Sequence, residues 1–228
     1  MKKIAFIGCY DKADMIIYIA KILSNLGSRV LVIDSTVLQK TRYIVPTMKA
    51  LKQYITTFEK IDVAIGFENM EQIKEYKKTT GEKRFDYDYV LIDIDSYKGY
   101  VYYQIMSDDK KYFITSFDLY SLKRGLQIFK RIEKEIDVKK VFFTKDMDIN
   151  EEKYFDFISR GLKVKWDKDI LYFPLDRIDQ NAIFVQQRSG RIQLKGLSET
   201  YIDGISYLAE EIAGEKNLSK IKKAVKMF

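Results

Sequence analysis

Histidine is absent from the 228 residues, and cysteine occurs once, as Cys9. The first absence removes imidazole acid–base catalysis and imidazole metal ligation. A single thiol can build neither a disulfide framework nor a structural zinc site, so a reducing compartment is expected. Proline is confined to Pro46 and Pro174, and no Gly/Ser-rich linker, repeat or low-complexity tract divides the chain. No apolar run approaches the roughly 20 residues of a membrane span. Met1-Lys2-Lys3 leads into too few apolar residues to read as a secretory signal. The expectation is a cytoplasmic protein with, at most, a peripheral place at a membrane.

What is present is a core. At 46% hydrophobic and 14% aromatic, the chain buries enough apolar surface to fold as one large domain and is not a disordered tract. The net charge of +7 favours anionic partners: nucleotides, nucleic acid or anionic lipid. Strands are expected at Lys3–Gly8, Arg29–Asp34, Asp62–Phe67, Tyr89–Ile94, Tyr112–Ser116, Lys140–Thr144 and Ile170–Pro174. Most are continuously apolar, as in a parallel sheet covered on both faces. Between them, Ile16, Ile19, Ala20, Leu23 and Leu26 recur at helical spacing and Gly27 ends that helix; Leu122, Leu126, Phe129 and Ile132 mark another. The charged stretch Glu71–Lys83 reads as a solvated helix and a loop. This alternation predicts a doubly wound, mostly parallel α/β sheet with helices on both faces.

The first strand runs into Gly8-Cys9-Tyr10-Asp11-Lys12-Ala13-Asp14, where a phosphate-binding loop would sit. Such a loop works because consecutive backbone N–H groups, freed by glycines, point at the anion. A lysine then neutralises the β/γ phosphates and a following hydroxyl holds Mg²⁺. Here one glycine and the lysine are present, Ala13 stands where the hydroxyl would be, and Asp11 sets a negative charge beside a site for a polyanion. Cys9 lies in the same loop, without a base to make it a nucleophile.

Several segments, in order, resemble the MinD/ParA family of P-loop ATPases over about residues 2–213. Asn25-Leu26-Gly27 with Arg29–Asp34 looks like the family's first helix end and second strand. Phe85-Asp86-Tyr87-Asp88-Tyr89-Val90-Leu91-Ile92-Asp93 looks like its Walker B strand, Phe113–Ser116 with Leu119–Lys123 like the next strand and helix start, and Phe173-Pro174-Leu175-Asp176 with Ala182, Gln187 and Gly190 like its late Pro-x-Asp segment and helix. The resemblance implies a P-loop fold whose cofactor site comprises Gly8, Lys12, Ala13, Asp34 and Asp93, binding ATP or ADP weakly with magnesium poorly held. It also implies lost catalysis. Ile7 replaces the lysine that crosses the dimer, Thr36 the aspartate that orients the attacking water, and Thr144 the asparagine that reads adenine. A pseudo-ATPase without catalytic residues is the expectation, similar to the atypical TadZ/CpaE-like proteins that localise pilus and secretion machinery. Such a protein would act as a homodimeric platform for a protein partner.

Two further features carry expectations. Tyr97, Tyr100, Tyr102 and Tyr103 follow Asp93, in the segment that meets the partner subunit in the resembled family, and tyrosine is enriched at interfaces. Residues 214–228 form a basic amphipathic helix distinct from a domain over 1–213. Leu218, Ile221, Val225 and Phe228 share a face against Lys220, Lys222, Lys223 and Lys226. Such a helix either lies on an anionic membrane, as a similar helix does in MinD-like proteins, or packs as the last helix of its own domain. A divergent active ATP hydrolase and a ParA-like nonspecific DNA binder stand as alternatives; charge is the support for the latter.

Overall fold

The computed structural model describes residues 1–46, 52–81, 85–174, 176–214 and 217–226. Its framework is an eight-stranded sheet in the order β3-β4-β2-β5-β1-β6-β7-β8. The strands are β1 (Lys2–Ile7), β2 (Val30–Asp34), β3 (Tyr54–Phe58), β4 (Ile61–Ile65), β5 (Tyr89–Ile94), β6 (Lys110–Thr115), β7 (Ile136–Phe142) and β8 (Val164–Tyr172). All neighbours are parallel except β3 and β4. The expected mostly parallel, doubly wound sheet is therefore observed.

Alternation along each strand divides the core in two, because successive side chains point to opposite faces. Ile4 and Phe6 of β1 join one cluster with α1 (Ala13–Asn25), α7 (Arg177–Ser189), α8 (Glu199–Ala213) and α9 (Leu218–Lys226). Ala5 and Ile7 join the other with α3 (Met70–Thr79), α5 (Leu119–Phe129) and α6 (Ile149–Ser159). The remaining helices are short: α2 (Thr41–Ile44) follows β2 and α4 (Tyr97–Tyr102) follows β5. The outer strand β8 bulges, stepping from Trp166 to Ile170 while β7 steps from Val138 to Lys140. The bulge, with Lys165, Asp167, Lys168 and Asp169, protects an edge that could otherwise pair with another chain.

The basic tail does not stand apart. Ile221 is 0% exposed and Ala224 2% exposed in the cluster that holds α1 and α8, with Val225 packed against it. The described part of the apolar face that a membrane would need, Ile221, Ala224 and Val225, is thus packed on the domain itself. Phe228 and the side chain of Leu218 lie outside the described residues. We expect Ile221→Ala to lower stability by about 2–4 kcal/mol through the cavity it leaves, read as a shift in the urea midpoint. An unchanged midpoint would mean that the helix is not docked in solution.

Candidate nucleotide site

The chain leaves β1 toward β2 on one side and later leaves β5 toward β6 on the other, and open α/β sheets place their ligand crevices at such a switch. The carboxyl ends of β1, β2 and β5 gather the expected residues there. Asp34 and Asp93 lie opposite each other in the β2–β5 register, and Phe6 pairs with Asp93 from β1. Gly8 leaves the strand at φ +148°, with its amide donating to the Ile94 carbonyl at 2.9 Å. Lys12 immediately precedes α1.

The five residues are brought together, but each is turned inward. The Lys12 ammonium lies 2.6 Å from Asp93 Oδ1 and donates to the Gly8 carbonyl at 2.7 Å, with 2% of its side chain exposed. The Asp93 contact is an ion pair whose geometry falls short of an aligned hydrogen bond. Burial pushes the Asp93 carboxyl up to about 7; Lys12 pulls it down, while Asp34 and Asp95 add repulsion. Asp34 is committed to its own loop: Oδ1 accepts from the Thr36 amide at 3.0 Å and hydroxyl at 2.6 Å, and Oδ2 accepts from the Thr41 amide at 3.0 Å. Thr36, where a water-orienting carboxylate was sought, serves as a partner of Asp34.

Asp11 has a role that sequence reading missed. Its Oδ1 accepts from the Ala13 amide at 3.3 Å, and its Oδ2 pairs with Lys40 at 2.7 Å. An anion at a helix N-terminus satisfies free amides and the helix dipole, so the side chain supplies internally what a phosphate would supply from outside. An aspartate two residues before a helix is the local signal for this, since such side chains cap. Tyr10 stacks on Phe143 with centroids 4.5 Å apart, beside Thr144, whose hydroxyl donates to the Asp146 carbonyl. Gln187, in the late helix α7, donates to both carboxylate oxygens of Asp14 at 2.9 Å and so ties the first turn of α1 to α7. Cys9 is half-buried; its thiol contacts the Asp95 carbonyl and is pushed upward mainly by burial, an inert setting.

The space left among the loop, Thr36, Lys40 and the aspartates is about 80 Å³, against roughly 300–1,000 Å³ for small-molecule sites. A nucleotide therefore needs this loop to open.

The tyrosines that follow Asp93 do not act together. Tyr103, expected at an interface, is 1% exposed and donates to the Phe67 carbonyl at 2.8 Å, which makes it a core residue. Tyr97 and Tyr100 are half-buried against the same cluster, and Tyr102 reaches solvent. The three-residue spacing of Tyr97, Tyr100 and Tyr103 sets them on the inward side of α4 and leaves Tyr102 outside, so residue type alone misplaces Tyr103.

No protein-family model matches the sequence, and no curated protein matches it. Solved structures do. A ParA family ATPase from Chlorobium tepidum TLS superposes with TM-score 0.58 at 14% identity, covering 91% of this chain and 98% of that one. The fold is that of the MinD/ParA ATPases. MinD in the MinC:MinD cell division complex of Aquifex aeolicus gives 0.58 at 14% identity, over 94% of this chain and 96% of that one. A plasmid-partition protein candidate from Borrelia burgdorferi B31, bound to AMPPNP, gives 0.53 at 12% identity, over 94% and 99%. Among the described residues, no helix is long and apolar enough to cross a membrane.

Proposed function

We propose that this chain uses the MinD/ParA fold as a non-catalytic, homodimerising localisation platform for a secretion, pilus or conjugation-type machinery, in the manner of TadZ/CpaE-like proteins. One observation carries the reading: Lys12 is the buried counter-ion of Asp93, while Asp11 takes the helix N-terminus that would hold phosphate. With Ala13 offering a methyl group and Asp93 paired to lysine, the donor set for Mg²⁺ is poor. ATP or ADP then binds weakly, and only when the loop opens. Val37, Leu38 and Tyr43, in the segment after β2, stand 70–81% exposed, and Leu38 lines the site, apolar surface suited to a second copy or a protein partner.

The test compares wild type with Lys12→Ala in a turnover assay with ATP and Mg²⁺, alongside binding of a fluorescent ATP analogue. The expected result is background turnover for both proteins. Hydrolysis by wild type that disappears in Lys12→Ala would overturn the proposal and establish a divergent ATPase. Sedimentation at rising concentration reads the dimer independently of nucleotide.

A further inference from the structure

A cavity of about 610 Å³ at the amino ends of β6, β7 and β8 is balanced in charge from within. There Lys139 pairs with Glu211 at 2.9 Å and Lys165 with Asp137 at 3.4 Å. A second cavity is different. Between α4 and α5, beside Asp95 at the flank of the phosphate loop, lies a groove of about 440 Å³. Four cations border it: Lys98, Arg124, Lys130 and Arg131. The one carboxylate among its lining residues, Asp95, already accepts from the Val37 amide at 2.9 Å.

These cations are weakly compensated. Lys98 comes no closer than 3.9 Å to Glu68, with both side chains 59% exposed, a pairing of little energy. Arg124 donates to neutral Gln127 at 2.8 Å, and Arg131 lies over the Tyr97 ring at 5.8 Å. Among the described residues, Arg124, Lys130 and Arg131 form no ion pair. The floor is apolar: Ile128 is 4% exposed and Tyr97 is half-buried.

Spacing fixes the shape of an occupant. Tyr120, Arg124, Ile128 and Arg131 follow one another at three- and four-residue steps, so they share a face of α5 and the turn after it. Tyr120 is 70% exposed at the upper end of that face. From Arg124 to Arg131 the rise is ~10 Å, the length of about three residues of extended chain. Two or three carboxylates on a short segment match it, with an apolar side chain between them for the Ile128–Tyr97 floor. Arginine and tyrosine are the residues that anchor such contacts. A longer polyanion fits worse, because Glu68 flanks one side and Glu133 and Glu135 lie two and four residues after Arg131.

We propose that this groove binds a short acidic peptide segment carrying an aromatic or aliphatic residue, supplied by a protein partner. It names the partner chemistry of the platform and rests on that reading in this respect alone. The groove uses no phosphate-loop residue and the titration needs no nucleotide, so each proposal can fail without the other.

The experiment is a fluorescence-anisotropy titration of full-length protein against a labelled decapeptide of Asp and Glu containing one Leu and one Tyr. The comparison probes are an Asn/Gln peptide of the same length and a labelled oligo-dT. Saturable binding of the acidic peptide that weakens with salt is expected, with about a tenfold or greater loss in Arg124→Glu/Arg131→Glu. Lys165→Glu/Lys168→Glu, at the other end of the sheet, should leave affinity unchanged. If the charge reversal disturbs folding, Arg124→Gln/Arg131→Gln gives the same reading with a smaller loss. No saturable binding, equal binding of the Asn/Gln peptide, indifference to both Arg124/Arg131 pairs, or oligo-dT binding tighter than the acidic peptide would each overturn the proposal, the last in favour of nucleic acid.

Discussion

Lys12→Met is expected to destabilise the protein by about 3 kcal/mol at mildly alkaline pH, a cost typical of removing one partner from a buried ion pair. The mutation strands Asp93, which is 4% exposed and next to Asp34 in the sheet register. It also removes the donor that holds the Gly8 carbonyl. The pH dependence follows from Asp93. Its carboxyl is raised from 3.8 to about 7 by burial, so the native state holds the proton more tightly than the unfolded chain does. The associated stability is present below about pH 4 and lost as pH rises toward 7. Without Lys12 that window extends further upward, because the counter-ion which favoured the charged form is gone.

The Lys12→Met deficit should therefore be larger at about pH 8 than at about pH 5.5. Adding Asp93→Asn should recover roughly 2 kcal/mol, as coupled neighbours do in a double-mutant cycle. Asp93→Asn alone should also destabilise, since it leaves a buried ammonium with reduced compensation. Urea melts of the four proteins at the two pH values read all of this. A Lys12→Met protein as stable as wild type, with no coupling to Asp93, would mean that the lysine is free to serve a ligand and that the inward geometry is not its resting state.

How much of this was legible depended on whether the signal was local. β5 spans Tyr89–Ile94 as expected, its short apolar run being buried at all six positions between two neighbouring strands. β7 and β8 start earlier than their apolar runs suggest. Lys139 is drawn inward by Glu211 and the Tyr207 hydroxyl, and β8 carries the charges of an edge strand. The β3–β4 hairpin escaped notice because its two-residue turn, Glu59-Lys60, adopts φ +51° and +70° without the Asn or Gly that signals such turns. At the site, Lys12 could be read from its place between Gly8 and the first helix, but its partner is set by strands that meet only in the folded sheet. Asp11 illustrates the limit best. In sequence its charge opposes a phosphate; in the structure that charge is already answered by Lys40, which arrives from the loop after β2.

Gly8→Ala is expected to be the most damaging conservative change in the loop, at about 3–5 kcal/mol, the sum of a strained backbone and a steric clash. A Cβ at Gly8 would lie 2.0 Å from the Ile114 carbonyl oxygen, and φ is +148°. The loop cannot retreat, because the Gly8 amide is bonded to Ile94 on β5 and its carbonyl is held by Lys12. Nor can β6 yield easily, since Ile7 pairs with Phe113 in the β1–β6 ladder. Gly27→Ala separates the two terms: it sits at φ +88°, and a methyl group there would meet nothing within 4 Å, so it should cost about 1 kcal/mol from backbone strain alone. Thermal melts should place Gly8→Ala about 10 °C below wild type, with Gly27→Ala much closer. Equal losses in the two variants would refute the close approach to β6. The comparison also bears on why this loop has kept its one glycine. A residue needed only to admit phosphate would tolerate alanine without loss of stability, whereas a residue wedged against β6 is required by the sheet itself.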